Sequence, residues 1–281
     1  MLDFNNTYNF PVELQPVFDQ HGTRIDGSNC VMRTDTNQVL GVHGSRYHIV
    51  SHDDVVNSVL DGMKEANFSK DYELKVNVLE DGRKLRGEIL FNDLTVQPQV
   101  GDYVKFRISF FNSYDASWSF SQAADGLRLW CLNGCTHSDH IASSRFKHTQ
   151  SISVEGSAAK MVAGLQHFTT MPNVWRSWMG VSLSDTFVEN FFKQTVAKAP
   201  SNQKLIDKTN DKQLEKLLGI YGNERQSLGP NKWALYNALT YWASHTADTR
   251  SPEITRRKRE DSIASAMRHK LWHEAEYDGV F

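Results

Sequence analysis

Four soft side chains capable of metal or nucleophilic chemistry crowd one short stretch: Cys131, Cys135, His137 and His140, spaced C-x3-C-x-H-x2-H. Closed zinc sites draw a ligand pair from each of two separated segments, and a Cys/His nucleophile needs a third group to orient its base. No second ligand pair or orienting group can be read beside them, so a strand end and turn at Asn133-Gly134 with small reduced thiols is the expected structure. The neighbouring Arg128, Arg145, Lys147 and His148 are better suited to phosphate than to metal.

A nucleic-acid pattern lies upstream. In GDYVKFRISFF (101–111), Val104, Phe106, Ile108 and Phe110 alternate with Tyr103, Lys105, Arg107, Ser109 and Phe111. A strand therefore carries one apolar face and one face of cations and rings. Lys84 and Arg86 alternate on the preceding segment, with Arg83 beside its turn. Single-stranded DNA is gripped by cations that follow its phosphates and by flat rings on which bases stack, each stacked base contributing roughly 1–3 kcal/mol. The competing reading is a solvated face whose cations pair with Glu73 and Glu88.

Two further basic runs carry their own neutralisers. Arg256, Arg257, Lys258 and Arg259 wrap around a helix, so two or three of them reach one surface, and Glu253, Glu260 and Asp261 bracket them. Lys204, Lys208, Lys212 and Lys216 run beside Asp207, Asp211 and Glu215, which predicts a solvated helix face. The acidic tail HEAEYDGVF ends in Phe281 and has the character of a docking tip for a protein partner. No Walker loop, GxGxxG turn, HExxH or GxSxG elbow is present, which disfavours ATP-driven strand exchange and the common hydrolase mechanisms. Carboxylates at Glu88, Asp102, Asp115, Asp125 and Asp139 leave a metal-dependent nuclease open.

The elements that must hold these groups follow from periodicity. Residues 12–49 read as short edge strands, and Ser51 with Asp54 forms a capping box ahead of Val55, Val56, Val59, Leu60 and Met63, predicting a helix over 52–66. Alternation through Tyr72, Leu74, Val76 and Val78, a turn at Asp81-Gly82, and Leu85, Ile89 and Phe91 predict a hairpin. A second hairpin turns at 112–115 into a strand bearing Trp118 and Phe120. From about 152 the period becomes helical, near 154–179, 184–198, 203–220, 231–246 and 253–275, with breakers at Pro200, Gly222, Gly229-Pro230 and Pro252. The fold class is α+β: an antiparallel meander with a packed helix over 1–150, and a helical region over 151–281 on the same body.

Composition sets bounds on partners. With 40% hydrophobic and 23% charged residues the chain can bury a core. A formal net charge of -2 means that any nucleic-acid surface is a local patch on a neutral body. Three cysteines are too few for a disulfide framework and fit a reducing compartment, and neither a secretory signal nor a membrane-spanning apolar run is readable.

The pieces GVHGSRYHIVSHDDV (41–55), Asp81-Gly82, GDYVKFRISFFNSYD (101–115), LRLWCLNGC (127–135), the later RFKHT, and NALTYWASH (237–245) resemble an uncharacterised phage/plasmid-like protein family. The resemblance implies a mobile-element context, and a polar set at Asn112, Asp115, Arg128, Asn133 and His148. The order of helix, meander and later helices also resembles the core of single-strand annealing proteins of the Rad, Red-beta and RecT type, in which oligomers align grooves along a strand. The expected function is ATP-independent binding and annealing of single-stranded DNA by a cytoplasmic homo-oligomer, in the host cytoplasm if phage-encoded, with no cofactor. The expected contacts are Arg83, Lys84, Arg86, Tyr103, Lys105, Arg107, Phe111, Arg128, Arg145, Lys147, His148, Arg256 and Arg257. Alternatives are a metal-dependent nucleic-acid enzyme using Asp115, Asp139 and His148, and a host-takeover module that binds a protein.

Overall fold

The computed structural model describes residues 7–128, 133–135, 142–146, 154–198, 210–247 and 249–275. Its class is α+β, as the patterning predicts. Strands β1 (Val12–Phe18), β2 (Arg24–Arg33) and β3 (Gln38–Gly44) form a three-stranded antiparallel sheet, and helix α1 (His52–Glu65) follows. A six-stranded sheet then takes β4 (Tyr72–Leu79), β5 (Lys84–Gln99), β6 (Asp102–Ser113), β7 (Phe120–Arg128) and β8 (Asn133–Cys135) in order, with β9 (Ala142–Phe146) also pairing β7. Helices α2 (Val154–Met179), α3 (Asp185–Gln194), α4 (Asp211–Leu228), α5 (Lys232–Ser244), α6 (Pro252–Met267) and α7 (Lys270–Glu274) complete the chain.

By compactness the chain forms two units of interleaved segments: Met1–Asp93, Arg107–Ala124 and Ala142–Leu165 in the first, and Leu94–Phe106, Asp125–Ile141 and Gln166–Phe281 in the second. The change of periodicity near 150 falls inside the last segment of the first unit.

In the first unit, α1 starts where predicted. Ser51 Oγ accepts from the Asp54 N–H at 2.9 Å and the Asp54 carboxylate accepts from the Ser51 N–H at 3.3 Å, so two donors at the helix start are satisfied reciprocally. Val55, Val56, Val59 and Met63 are buried along one stripe. The β4–β5 hairpin closes through four residues, of which Glu80, Asp81 and Gly82 all have positive φ (50°, 56° and 96°). On β5, Gly87 lies under the Phe110 ring, and a Cβ there would overlap it. Phe10, Val31, Leu40 and Tyr114 make a buried cluster against which Val12, Tyr47, Ile49 and Val78 pack.

The turn predicted at 112–115 lies further along the chain. Strand β6 runs through Ser113, and Asn112 and Ser113 are fully buried. The Asn112 amide donates to the Val50 carbonyl at 2.9 Å; Ser113 Oγ donates to the Trp118 carbonyl and accepts from the Trp118 N–H, both at 2.9 Å. Trp118 thus lies in the turn and not on the following strand.

In the second unit, α5 is buried on almost every side from Lys232 to Ala243, the pattern of a central helix. Trp178, Trp233, Tyr236 and Trp272 form a ring cluster around it, and the buried Lys232 Nζ lies 4.6 Å from the Trp272 ring centre. Helix α4 begins later than expected, at an Asn210 cap, and runs through the expected breaker Gly222 to Gly229, whose φ is +84°. Among the described residues no atom outside its own helix lies within 4 Å of where a Gly222 Cβ would be, so that glycine interrupts no packing there. Among the described residues no helix is long and apolar enough to cross a membrane.

Candidate functional site

The mixed face expected on β6 is solvent-accessible only at its start. Tyr103 is exposed and Lys105 half-buried, but Arg107, Ser109 and Phe111 are buried, as are Lys84 and Arg86 on β5. The cause is a buried ion cluster. The Glu88 carboxylate accepts from Arg86 at 3.0 Å and from Arg107 at 3.2 Å, and the Arg86 guanidinium lies 5.1 Å from the centre of the Phe111 ring, which itself meets Trp118 edge-on. Lys84 is bound to Glu80 at 2.6 Å and to Asp115 at 3.5 Å. A strand pattern of alternating cations and rings is the same whether the face is wet or covered, and here it is covered. Of Tyr103, Lys105, Arg107, Ser109 and Phe111, only Tyr103 and Lys105 at the start of β6 reach solvent.

The other expected contacts belong to several elements. Arg83 is exposed beside the β4–β5 turn. Arg256 and Arg257 on α6 lie 3.3 Å from Glu260 and 3.6 Å from Asp261, the self-neutralised arrangement. Arg128 and Arg145 occupy backbone positions on β7 and β9, opposite Asn133 and Ser121. Lys147, His148, Cys131, His137, His140, Asp139, Lys204, Lys208 and the end of the acidic tail lie outside the described residues. Of the polar set implied by the family resemblance, Asn112 and Asp115 are built into the end of β6 and its turn. Burial pushes the Asp115 carboxyl up, but hydrogen bonds from Ser117 and Ser113 and the Lys84 ammonium outweigh it and hold the group below its ordinary value.

What the structure does assemble is a cleft of about 1020 Å³ in the first unit, lined by Gly27, His43, Gly44, Ser45, Arg46, Tyr47 and His48. Its described lining residues supply an arginine, two histidines, a hydroxyl and a phenol, and no carboxylate is among them. The His43 and Tyr47 rings stack face to face, 3.9 Å between centres and 11° from parallel. Arg46 and His48 are exposed.

Buried neighbours fix that wall. His43 Nε2 donates to the Tyr114 carbonyl at 2.6 Å, because a carbonyl can only accept. The approach requires Gly41, since a Cβ there would overlap the Tyr114 oxygen. Tyr114 is itself anchored: its hydroxyl accepts from the His52 N–H at 2.8 Å and its ring stacks on the His52 imidazole at 4.2 Å. His52 in turn donates from Nε2 to the Gly82 carbonyl at 3.0 Å and accepts at Nδ1 from the Asn112 amide at 3.1 Å. Burial pushes the Tyr47 and Tyr114 phenols well above their ordinary range, aided for Tyr47 by the nearby Tyr114 and Asp115. Asn112, from the implied polar set, thus supports the cleft wall from behind.

Sequence reasoning missed this site. HGSRYH was read as the end of a strand, although an arginine between two histidines after Gly-Ser is an anion-binding composition in six residues. Periodicity counts strands and helices and gives no weight to the loop that leaves them.

The profile of a family described as "Domain of unknown function (DUF932)" matches residues 39–264, a span that includes the cleft loop, the buried arginines and the central helix. No curated protein and no solved structure matches the chain.

Proposed function

The chain belongs to the DUF932 family, whose description assigns no activity, and from that premise we propose that it binds single-stranded DNA without nucleotide hydrolysis and promotes its annealing. The observation that carries this is the cleft, with no carboxylate among its described lining residues, in which Arg46 and His48 stand beside a fixed pair of stacked rings. Phosphates need a cation and hydrogen-bond donors, and an unpaired base needs a flat platform whose orientation costs nothing at the moment of binding. Arg46, His48 and Ser45 supply the first; His43 and Tyr47, locked by Tyr114, supply the second. A strand held by phosphates and one stacked base keeps its other base edges free to pair, which is all that annealing asks of a protein. The lack of a Walker loop agrees with this reading, which we extend to phage or plasmid recombination or replication in the cytoplasm of a host.

The test is a titration of labelled single strands at two salt concentrations, with and without a divalent ion. Binding should weaken steeply as salt rises, because counterions released from the strand set that slope, and should be indifferent to the ion. Arg46→Glu should abolish binding while leaving the fold intact. Cleavage that depends on the ion would favour a nucleic-acid-processing enzyme, and no binding under any condition would favour a protein-binding module.

A further inference from the structure

Two histidines of the first unit are held in different ways. His52 is buried with both ring nitrogens occupied, one by the Gly82 carbonyl and one by the Asn112 amide, and it serves the core. His43 is half-buried and lines the cleft. Its Nε2 is taken by the Tyr114 carbonyl at 2.6 Å, and no described residue hydrogen-bonds its Nδ1. Since Nε2 carries the donated proton, Nδ1 is the nitrogen through which this ring can take up or release one. The stack on Tyr47, 3.9 Å between centres, fixes the plane of the ring. One nitrogen oriented by a third group and the other open is how a general base is held. The same cleft carries a second imidazole and a cation: His48 and Arg46 are exposed, and neither hydrogen-bonds or ion-pairs with another described residue.

We propose that the cleft cleaves single-stranded RNA without a metal ion, with His43 as general base, His48 as general acid and Arg46 on the phosphate. The substrate class follows from what the set leaves to the strand. Imidazole is the side chain that exchanges protons near neutral pH, and a guanidinium is the group that meets the charge growing on a phosphate under attack. RNA brings its own nucleophile, a 2′-hydroxyl beside each phosphate, which DNA lacks. His43 Nδ1 takes the proton of that hydroxyl as its oxygen bonds to the neighbouring phosphorus. The bond from phosphorus to the 5′-oxygen of the next nucleotide breaks, and that oxygen leaves with the electron pair and takes a proton from His48. The products are a 2′,3′-cyclic phosphate and a 5′-hydroxyl. No oxidant, reductant or second substrate is consumed, and water returns each ring to its starting protonation. The proposal rests on the strand-binding reading in that the cleft must hold a strand; a DNA strand is held there and stays whole.

Labelled single-stranded RNA, and DNA of the same sequence, incubated with the full chain and a chelator test this. The RNA should be cut to ends bearing 2′,3′-cyclic phosphate, and the DNA should be bound and left intact. A DNA strand with one ribonucleotide should be cut only there, a readout of the wild type that depends on no variant. His43→Gln and His48→Gln, purified in parallel, should each lower the single-turnover rate at saturating protein by about 100-fold or more. Working at saturation separates lost chemistry from lost affinity. The wild-type rate should trace a bell against pH; His43→Gln should lose the rise on the acid side and His48→Gln the fall on the alkaline side. RNA that is bound but stays whole, cutting that both variants retain, or cutting that requires a divalent ion would each overturn the proposal. Cleavage of the DNA as well would overturn it in favour of a nucleophile from the protein. Failure to bind either strand would sink the strand-binding reading and this proposal with it, whereas binding without cleavage would sink this proposal alone.

Discussion

Arg46 and the pair Arg86/Arg107 are the same residue type in the same unit, yet their surroundings give them opposite work. Arg86 and Arg107 are buried and share the Glu88 carboxylate, so their charge is spent inside the protein. Arg46 stands exposed in a cleft with no carboxylate among its described lining residues, so its field is available to a ligand. A cation in a sequence becomes a binding group only when the fold leaves it without a permanent counterion.

The sharpest way to break this contrast is to remove the counterion. Glu88→Ala takes one carboxylate from two buried guanidinium groups and should destabilise the protein by about 3–5 kcal/mol, as breaking buried pairs does. Urea unfolding would show it, and a loss below about 1 kcal/mol would mean that the arginines reach water and that the contrast is false.

Tyr114 supports the cleft from the buried side. Tyr114→Phe removes the acceptor of the His52 N–H and should cost about 1–3 kcal/mol at pH 7. Burial holds the Tyr47 and Tyr114 phenols neutral in the fold above their ordinary value of about 10. Their folded pKa is raised, so this stabilisation is complete below pH ~10 and is lost as pH climbs beyond it. Stability measured against pH should fall on the alkaline side, and less steeply in the Phe variant. An equal alkaline slope in both would remove Tyr114 from the account.

Gly87→Ala tests the covered sheet from its apolar side. The added methyl overlaps the Phe110 ring, and overpacking of that kind costs about 1–3 kcal/mol. A neutral result would show that Phe110 moves freely and that β5 and β6 are loosely packed.

These differences explain what was legible beforehand. Helix α1 was readable because the Ser51/Asp54 capping box and the spacing of Val55, Val56, Val59 and Met63 are local signals that the core reinforces. The β4–β5 hairpin was readable because alternation and Asp81-Gly82 agree. The accessibility of Arg107 and Phe111 was not, since period two assigns them to a face and only the Glu88 side chain and the Trp118 turn decide whether that face meets water. The end of β6 was misread because Asn112 and Ser113 are turn formers by type, while here their side chains satisfy the Val50 carbonyl and the Trp118 backbone. The cleft was illegible for a related reason: the Tyr114 carbonyl that fixes His43 comes from 71 residues away in the chain.

The smallest effect is the most diagnostic. Arg46→Ala, at an exposed position with no ion-pair partner among the described residues, should change unfolding free energy by no more than about 0.5 kcal/mol. The same substitution should weaken single-strand binding and reduce the dependence of log affinity on log salt by about 0.7, the share of one phosphate contact on a single strand. Glu88→Ala should do the reverse, lowering stability while leaving the salt slope of the folded fraction unchanged. If Arg46→Ala left that slope untouched while Glu88→Ala altered it, the strand would be bound through the β5–β6 arginines, and the division of labour between the two sets of cations would be inverted.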